Sequence, residues 1–254
     1  MPETTCSLCQ GTEWVLEESD SGIVAKRCKC FRERENEILF NQAQIPKRYK
    51  HCTFKNFEEH NDSHRDALKI AKKLVKNYPV QDIGLLFQGP CGIGKTHLAI
   101  AIINELIKKK NIPCYFCDFR NLIRNIQSTY TPTSSLTESE VLEPVFQKEV
   151  LVLDELGAKR TTAWVEDTVF YIINRRYNNK KVTVFTSNYI DSGEAEEDSR
   201  DQHFKKADDS LVDRIGVRLR SRIYEMCKIV EMWGKDYRKA VSYTHLTLPT
   251  ILLV

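Results

Sequence analysis

Short apolar runs alternate with amphipathic segments along the middle of the chain. The runs at residues 84–87, 112–117, 150–153 and 182–185 predict strands. Helices are predicted around them at residues 66–78, 96–109, 119–127 and 163–177. Strands that are apolar throughout and alternate with helices indicate an α/β fold, with a parallel sheet covered by helices on both faces.

Segments of a different character flank the predicted sheet. A helix is predicted at residues 31–44, and it ends at Ile45-Pro46 because the residue before proline avoids helical geometry. Residues 191–209 are mostly polar or charged and predict a surface insertion with an acidic first half. One continuous basic helix is predicted at residues 211–226, and residues 229–237 are expected to close the domain.

The last residues of the chain, 241–254, differ from the rest. They are apolar, interrupted by a proline, and resemble translated sequencing adapter rather than a native domain. We leave this segment out of the fold prediction. The alternative is a native strand that docks on the domain.

Composition and charge exclude few classes of protein. Apolar residues make up 41% and charged residues 29%, the balance of a soluble globular protein. We expect a cytoplasmic protein without a membrane partner, since no run approaches the roughly 20 apolar residues of a bilayer span and no secretory signal is visible. The net charge of +3 is too small to indicate nucleic-acid binding by itself. Residues 26–50 carry eight Lys/Arg against three Glu, which suits an anionic partner or a solvated helix face.

The most specific motif is Gly-Pro-Cys-Gly-Ile-Gly-Lys-Thr at residues 89–96, between a predicted strand and a predicted helix. Gly92 and Gly94 allow the backbone to curl, so that its amides can face phosphate oxygens at the positive end of the helix. Lys95 would reach the β- and γ-phosphates, and the Thr96 hydroxyl would ligate Mg²⁺. The motif predicts ATP and Mg²⁺ as ligands. The predicted contact residues are Gly89, Pro90, Cys91, Gly92, Ile93, Gly94, Lys95, Thr96, His97 and Asp154.

Polar residues follow two of the predicted strands. Asp154 and Glu155 end the strand at 150–153, and ligands bind at this edge of open parallel sheets. Asp154 would hold Mg²⁺, directly or through water, and Glu155 would polarise the attacking water as a general base. Asn188 follows the strand at 182–185 and could hydrogen-bond the γ-phosphate or the water. Surface-turn and capping roles are the alternatives.

Arginines recur in the predicted helix at 211–226. Arg214, Arg218 and Arg222 are spaced four residues apart and would share one face of a continuous helix, with Arg220 on another face. Such a row contacts solvent or phosphate. It could also place one guanidinium in a neighbouring subunit's ATP site as an arginine finger.

Four of the nine cysteines lie in the first 30 residues. Cys6, Cys9, Cys28 and Cys30 have the spacing C-x2-C-x18-C-x-C, on either side of a predicted hairpin turn near Gly22. Four thiolates predict a structural Zn²⁺ site, because they would fill all the positions of a tetrahedral ion. Free cysteines are the alternative, and the closing C-x-C departs from the commonest zinc ribbon.

Together these motifs resemble the DnaC/DnaI-like helicase loaders, close relatives of the IstB transposition ATPases, within the AAA+ class. The resemblance covers about residues 1–240, and its most specific segments are Ile-Pro-Lys-Arg-Tyr at 45–49 and Arg-Leu-Arg-Ser-Arg at 218–222. It implies an N-terminal zinc-binding and helical helicase-interaction module at 1–45 and an AAA+ ATPase domain at 46–240.

The resemblance also assigns roles to single residues. It implies that Lys95 and Thr96 form the Walker A pair, and that Asp154 and Glu155 form Walker B. The residues that match the family's catalytic positions are Lys95, Glu155, Asn188 (sensor 1), Arg222 (arginine finger) and Arg238 (sensor 2).

The function implied by the resemblance is ATP-dependent loading of a replicative DNA helicase onto single-stranded DNA, by a protein that self-associates when it binds ATP. Arg120, Arg124 and Tyr130 are candidates for DNA contact through phosphate neutralisation and base stacking, or form an ordinary solvated face. Two alternatives remain open. One is a transposase-partner ATPase that acts on duplex DNA, and the other is a zinc-bearing adaptor that binds ATP and scarcely hydrolyses it.

Overall fold

A computed structural model describes residues 6–19, 22–80, 82–131, 135–159, 162–191 and 210–237. Most of the predicted acidic insertion, Arg238 and the segment 241–254 lie outside these residues. Among the described residues, no helix combines the length and apolar character needed to cross a bilayer.

An antiparallel hairpin opens the described chain, with strands β1 (Trp14–Ser19) and β2 (Gly22–Arg27). Helix α1 (Lys29–Gln42) follows it, and a short 3-10 helix (Lys47–Tyr49) lies in the connector to α2 (Asp62–Asn77). The hairpin agrees with the predicted turn between the two cysteine pairs. Helix α1 agrees with the helix predicted at 31–44, apart from a shift of two residues at each end.

Five parallel strands form the main sheet. They are β3 (Gly84–Gln88), β4 (Cys114–Asp118), β5 (Val150–Asp154), β6 (Thr183–Ser187) and β7 (Cys227–Glu231). Their order is β4-β5-β6-β3-β7, and each neighbouring pair is parallel. The parallel sheet predicted from the apolar runs is therefore confirmed. Because the strands are parallel and β6 lies between β5 and β3, the carboxyl ends of these three strands meet at one edge.

Helices cover both faces of this sheet. The remaining helices are α3 (Lys95–Lys110), α4 (Phe119–Thr129), α5 (Glu138–Gln147), α6 (Ala163–Asn178), α7 (Leu211–Ile215) and α8 (Val217–Met226). Leu85, Phe87 and Val152 belong to the apolar cluster that includes α2 and α3. Leu86 and Leu153 belong to the cluster that includes α4, α5, α6 and α8. Successive residues of each strand thus face opposite helical layers.

Two differences from the predicted elements affect the site. The sequence pattern did not predict α5, which begins with a capping box formed by Thr137 and Glu140. The single helix predicted at 211–226 is wrong, because the chain breaks at Gly216 into α7 and α8. Gly216 has φ +81°, and a Cβ there would lie 2.1 Å from the Glu166 Oε1 atom. Arg214 therefore lies on a different helix from Arg218 and Arg222.

Candidate functional site

The loop between β3 and α3 has the curled backbone that the motif predicts. Gly89, Gly92 and Gly94 have φ values of +142°, +78° and +95°. A Cβ at Gly92 would lie 1.8 Å from the Asp236 Oδ1 atom, and one at Gly89 would lie 1.9 Å from the Met232 carbonyl oxygen. Backbone geometry and close packing both require glycine at these positions.

Lys95 begins α3 with a buried side chain. Its Nζ atom donates hydrogen bonds to the carbonyl oxygens of Gly89, at 2.7 Å, and Pro90, at 2.6 Å. The ammonium group therefore lies against the curled loop, within reach of an anion bound there. Ile93 is buried in the core and anchors the loop, whereas Cys91 is exposed and lines the cleft.

Asp154, at the end of β5, forms a buried cluster with two threonines. Its Oδ1 atom accepts hydrogen bonds from Thr96 Oγ1, at 2.8 Å, and from Thr186 Oγ1, at 2.6 Å. Burial raises the pKa of the Asp154 carboxyl group, although both hydroxyl groups act in the opposite direction. A carboxylate beside a hydroxyl group on a helix N-terminus offers the hard oxygen ligands that Mg²⁺ prefers. The residues present thus fit a magnesium ion.

Glu155 is the next residue and has a left-handed backbone, with φ +57°. Its amide nitrogen donates to Thr186 Oγ1 at 2.9 Å, so Thr186 connects to both acids. The Glu155 Oε2 atom lies 3.6 Å from an Arg120 guanidinium nitrogen. This backbone turn presents Glu155 to the cleft while Asp154 stays buried.

A cleft of about 390 Å³ joins these groups. Glu155, Thr186 and Asn188 line it on the side of β5 and β6, and residues of the glycine loop line the other side. The structure therefore brings together the predicted loop, Thr96, Glu155 and Asn188.

Part of the cleft wall was missed by sequence reasoning. Arg48, Tyr49 and His51 from the connector and Tyr237 from the end of the described chain also line the cleft. The segment 45–49 was the only available signal, because it stood out as specific without any assigned role.

His97 fixes this connector to α3. Its Nε2 atom lies 2.9 Å from the carbonyl oxygen of Thr53, and its ring meets the Phe57 ring edge-on. Burial lowers the pKa of His97, which favours a neutral ring with its proton on Nε2. His97 thus supports the cleft wall and also lines the cleft.

The arginines of α7 and α8 do not line this cleft in their own chain. Arg222 lies over the Tyr177 ring, at 4.5 Å from the guanidinium carbon to the ring centroid, and 3.9 Å from Glu225. Arg218 stacks over Phe170 and Arg214 over Tyr189. Arg222 therefore lies outside the cleft of its own chain.

The four N-terminal cysteines converge as their spacing predicts. The sulfur atoms of Cys6, Cys9, Cys28 and Cys30 all lie within 4.8 Å of one another. The Cys6–Cys28 and Cys9–Cys30 sulfur distances are 3.8 and 3.4 Å. Tetrahedral zinc with bonds of about 2.3 Å requires sulfur separations of about 3.8 Å, so the cluster fits the ion.

Backbone and aromatic contacts support the cysteine cluster. Hydrogen bonds from the backbone amides of Cys9 and then Leu8 lower the pKa of Cys6 to about 7, which favours the thiolate. The Arg27 guanidinium lies between the Trp14 and Phe31 rings, at 4.2 Å from each centroid. This stack fixes the hairpin to the first turn of α1.

The candidate DNA contacts lie along α4. Arg120 and Arg124 are exposed, and Tyr130 follows the end of the helix with 58% of its surface exposed. The Tyr130 hydroxyl donates to Glu138 at 2.8 Å, and its ring packs edge-on against Trp164. Arg120 is the member of this group that reaches Glu155.

Comparison with known proteins agrees with this arrangement. The family described as IstB-like ATP binding protein matches residues 4–244. The replicative helicase loader DnaC of Buchnera aphidicola subsp. Schizaphis graminum is 30% identical over 161 residues, which are 61% of this chain and 65% of the relative. The DnaC loader of Escherichia coli K12 is 26% identical over 162 residues, 61% of this chain and 65% of the relative. The chain thus spans just under two thirds of the length of these two relatives.

Among solved structures, a crystal structure of the DnaC helicase loader has a TM-score of 0.62 and 34% identity, and it covers 74% of this chain and 100% of that structure. A crystal structure of DnaI has a TM-score of 0.56 and 24% identity, over 76% of this chain and 94% of that structure. The DnaI likeness shows the fold alone. The DnaC match agrees with the observed five-stranded parallel sheet, and the family match agrees with ATP binding.

Proposed function

Because the chain belongs to the family of IstB-like ATP-binding proteins, we propose that it is an ATPase that loads a replicative DNA helicase onto single-stranded DNA. The observation that carries the proposal is the joint position of Lys95, Thr96 and Glu155 around one cleft, with Asp154 buried behind it and hydrogen-bonded to Thr96. Similarity to DnaC loaders favours the loading activity: the sequence identity is 30% to a curated DnaC and 34% to the DnaC of the crystal structure.

Nucleotide binding would use the curled loop and Lys95. The loop amides and the N-terminus of α3 would face the phosphates, and Lys95 would exchange its carbonyl partners for phosphate oxygens. Thr96 and Asp154 would hold Mg²⁺, which neutralises phosphate charge when bound. Arg48, Tyr49 and His51 would enclose the nucleotide from the connector side.

Hydrolysis would rest on Glu155 and on three further residues that act on the γ-phosphate or the attacking water. Glu155 would orient the attacking water and accept its proton, while Asn188 would bind the γ-phosphate or the water. Arg222 of a neighbouring chain would stabilise transition-state charge, and we propose Arg238 as sensor 2.

The proposed cycle is a switch between two assembly states. ATP at a shared interface would hold neighbouring copies together through Arg222, and this assembly would hold the helicase for loading. Loss of the γ-phosphate contact on hydrolysis would loosen the interface and release the loader. Single-stranded DNA would contact Arg120, Arg124 and Tyr130, next to the base Glu155.

The N-terminal module would serve the partner rather than the nucleotide. We propose that the four cysteines hold a structural Zn²⁺ and that residues 1–45 bind the helicase. A full set of four thiolates leaves no open position on the ion, so the metal would organise the fold and take no part in hydrolysis.

A loading assay tests this function. A replicative helicase would be mixed with circular single-stranded DNA, coated with single-strand-binding protein, in the presence of ATP and of wild-type or Glu155→Gln protein. We expect the wild type to raise helicase loading and to hydrolyse ATP. The Glu155→Gln variant should bind ATP normally and hydrolyse it about 100-fold or more slowly. Unchanged turnover in Glu155→Gln would contradict the role of the base.

The transposase-partner alternative keeps a specific basis, because the matching family is described as IstB-like. Capture experiments with a replicative helicase and with a transposase separate the two functions. Retention of the transposase alone, with ATPase stimulation by duplex DNA, would favour the alternative. A protein that binds ATP but shows no turnover with any DNA would favour the zinc-bearing adaptor.

A further inference from the structure

Residues 187–191 connect the candidate ATP site to both arginine-bearing helices. At the start of this segment, Ser187 Oγ donates to the Leu156 carbonyl oxygen at 3.0 Å, beside the end of β5. Asn188 lines the nucleotide cleft, and the next residue, Tyr189, lies under the Arg214 guanidinium of α7 at 4.5 Å. The carbonyl oxygen of Ile190 then accepts from the first amide of α7, at 3.1 Å.

The segment ends at a buried ion pair with α8. The Asp191 side chain is fully buried, and its Oδ2 atom accepts a hydrogen bond from Arg220 Nε. The Arg220 guanidinium also lies 4.7 Å from the Tyr224 ring centroid, one turn along the helix. The Asp191 carboxylate is shielded from solvent while the Arg220 side chain is 33% exposed, so their attraction is stronger than that of a fully exposed ion pair.

This pair constrains the rotation of α8 beside its buried apolar stripe of Leu219, Ile223 and Met226. Residues two apart on an α-helix point in directions about 200° apart. Arg220 lies on one flank of the buried stripe, where Asp191 holds it, and Arg222 lies on the opposite flank, where it stacks on Tyr177. A change at Asp191 would therefore change the direction in which Arg222 projects.

We propose that Asp191 and Arg220 are positioning residues that fix Arg222 relative to Asn188 at the chain's own ATP site. The inference rests on the proposed function, since it assumes that Arg222 completes the site of a neighbouring copy. In this arrangement only two residues separate Asn188 from Asp191, so a shift of the γ-phosphate contact would reach α8 through a short backbone path. Whether one copy holds ATP would then control how its Arg222 is positioned in the ATP site of the neighbouring copy.

A mixing experiment tests the pair. Arg222→Ala lacks the finger but keeps a complete ATP site, whereas Glu155→Gln lacks the base but keeps the finger. We expect each variant alone to be nearly inactive and the mixture to recover ATPase turnover. Asp191→Asn is then added to one component at a time. In the finger donor (Glu155→Gln), it should lower the recovered turnover about 10- to 100-fold, since a misplacement of about 1 Å can cost about 100-fold in rate.

The same substitution in the acceptor (Arg222→Ala) should have a much smaller effect, because the acceptor's finger is already absent. Loss of turnover limited to the donor supports the positioning role, whereas equal loss in both components would overturn it. Unchanged recovery with the substituted donor would also overturn it.

Matched variants separate positioning from general damage. Arg220→Gln in the donor should reproduce the loss, because it breaks the same pair from its half-exposed side. Glu149→Gln, which removes a carboxylate from an ion pair with Lys181, should leave recovery unchanged. ATP affinity of each donor variant should match the wild type. If the mixture without Asp191→Asn recovers no turnover, the shared site itself fails, and this outcome is distinct from a failure of the Asp191–Arg220 pair.

Discussion

The ATP-site edge of the sheet and the cysteine hairpin are organised in opposite ways. Every residue of β3, β5 and β6 is buried, and the site residues stand at the ends of these strands. Every residue of β2 is exposed, and Leu16 and Ile23 of the hairpin are 70% and 71% exposed. The sheet has an apolar core to hold its polar groups in place, whereas the hairpin has four converging thiols and one cation–aromatic stack.

This difference shows what each region depends on. In the sheet, burial fixes the strands, and the strands fix Asp154 and Glu155 with respect to the glycine loop. In the hairpin, little apolar surface is buried, so under the proposed zinc site metal ligation would supply most of the free energy of local folding. We therefore expect the hairpin to unfold on loss of metal and the sheet to unfold on loss of its buried contacts.

The largest expected effect is the loss of the hairpin on removal of metal. We expect about one zinc per chain, because the four thiols make one tetrahedral site. Structural zinc contributes about 10–16 kcal/mol in small metal-dependent modules. Cys9→Ser, or chelation of the wild type, should release the zinc and abolish protection of β1 and β2 in hydrogen exchange, while β5 stays protected. Cys91→Ser, at an exposed cysteine outside the cluster, should keep its zinc. Metal analysis that finds no zinc in the wild type would contradict the site.

A large loss of sheet stability is expected from Arg176→Met. The buried guanidinium of Arg176 donates to Thr183 Oγ1, and its other acceptors are the carbonyl oxygens of Val145, Lys148, Glu149 and Val182. Its loss leaves buried acceptors unpaired, which should lower the free energy of unfolding by about 3–5 kcal/mol in urea titrations.

The neighbouring Arg175 provides a matched control for this change. Its guanidinium lies over the Phe146 ring on the protein surface, so Arg175→Met should cost about 1 kcal/mol or less. Equal stability of the two variants would show that the Arg176 network does not hold α5 and α6 to the sheet.

The smallest expected effect is a gain in stability from Asp154→Asn without nucleotide. Burial raises the pKa of Asp154 in the folded state, so its contribution favours folding at low pH and is lost as the pH rises through the raised pKa. The ionised group thus costs stability at neutral pH. Asparagine keeps an oxygen acceptor for Thr96 and Thr186 without that charge.

Thermal unfolding checks this expectation at two pH values. Asp154→Asn should melt above the wild type at pH 7.5, by about 2–4 °C for each 1 kcal/mol gained in the free energy of unfolding. The difference in melting temperature between the two proteins should shrink at acid pH. The same variant should bind Mg²⁺-ATP more weakly. A lower melting temperature at pH 7.5 would mean that the carboxylate stabilises the nucleotide-free fold.

The sequence predicted the sheet and its motifs because both depend on local signals. Apolar runs mark buried strands, and the glycine loop has a fixed spacing at the end of one of them. The break at Gly216 is a change of backbone conformation, with φ +81° and ψ +154°, and a lone glycine is compatible with a continuous helix in sequence. Helix α5 was not predicted because it is short and contains Pro144, although its capping box at Thr137 is a helix-start signal in the sequence.

Tertiary contacts explain the remaining differences at the site. The connector residues Arg48, Tyr49 and His51 reach the cleft because His97 and Phe57 hold their segment against α3. The contact of Arg220 depends on Asp191, which follows the end of β6 by four residues. No periodic pattern connects such distant positions, so only the folded chain shows them.

Calorimetric titration with a non-hydrolysable ATP analogue and Mg²⁺ tests the central claim most directly. The wild type and Lys109→Ala, a change at an exposed lysine of the same helix, should bind the analogue with equal affinity. Lys95→Ala should show no measurable binding, while its circular dichroism and zinc content match the wild type. Equal affinity in all three proteins would contradict the assignment of the glycine loop as the ATP site.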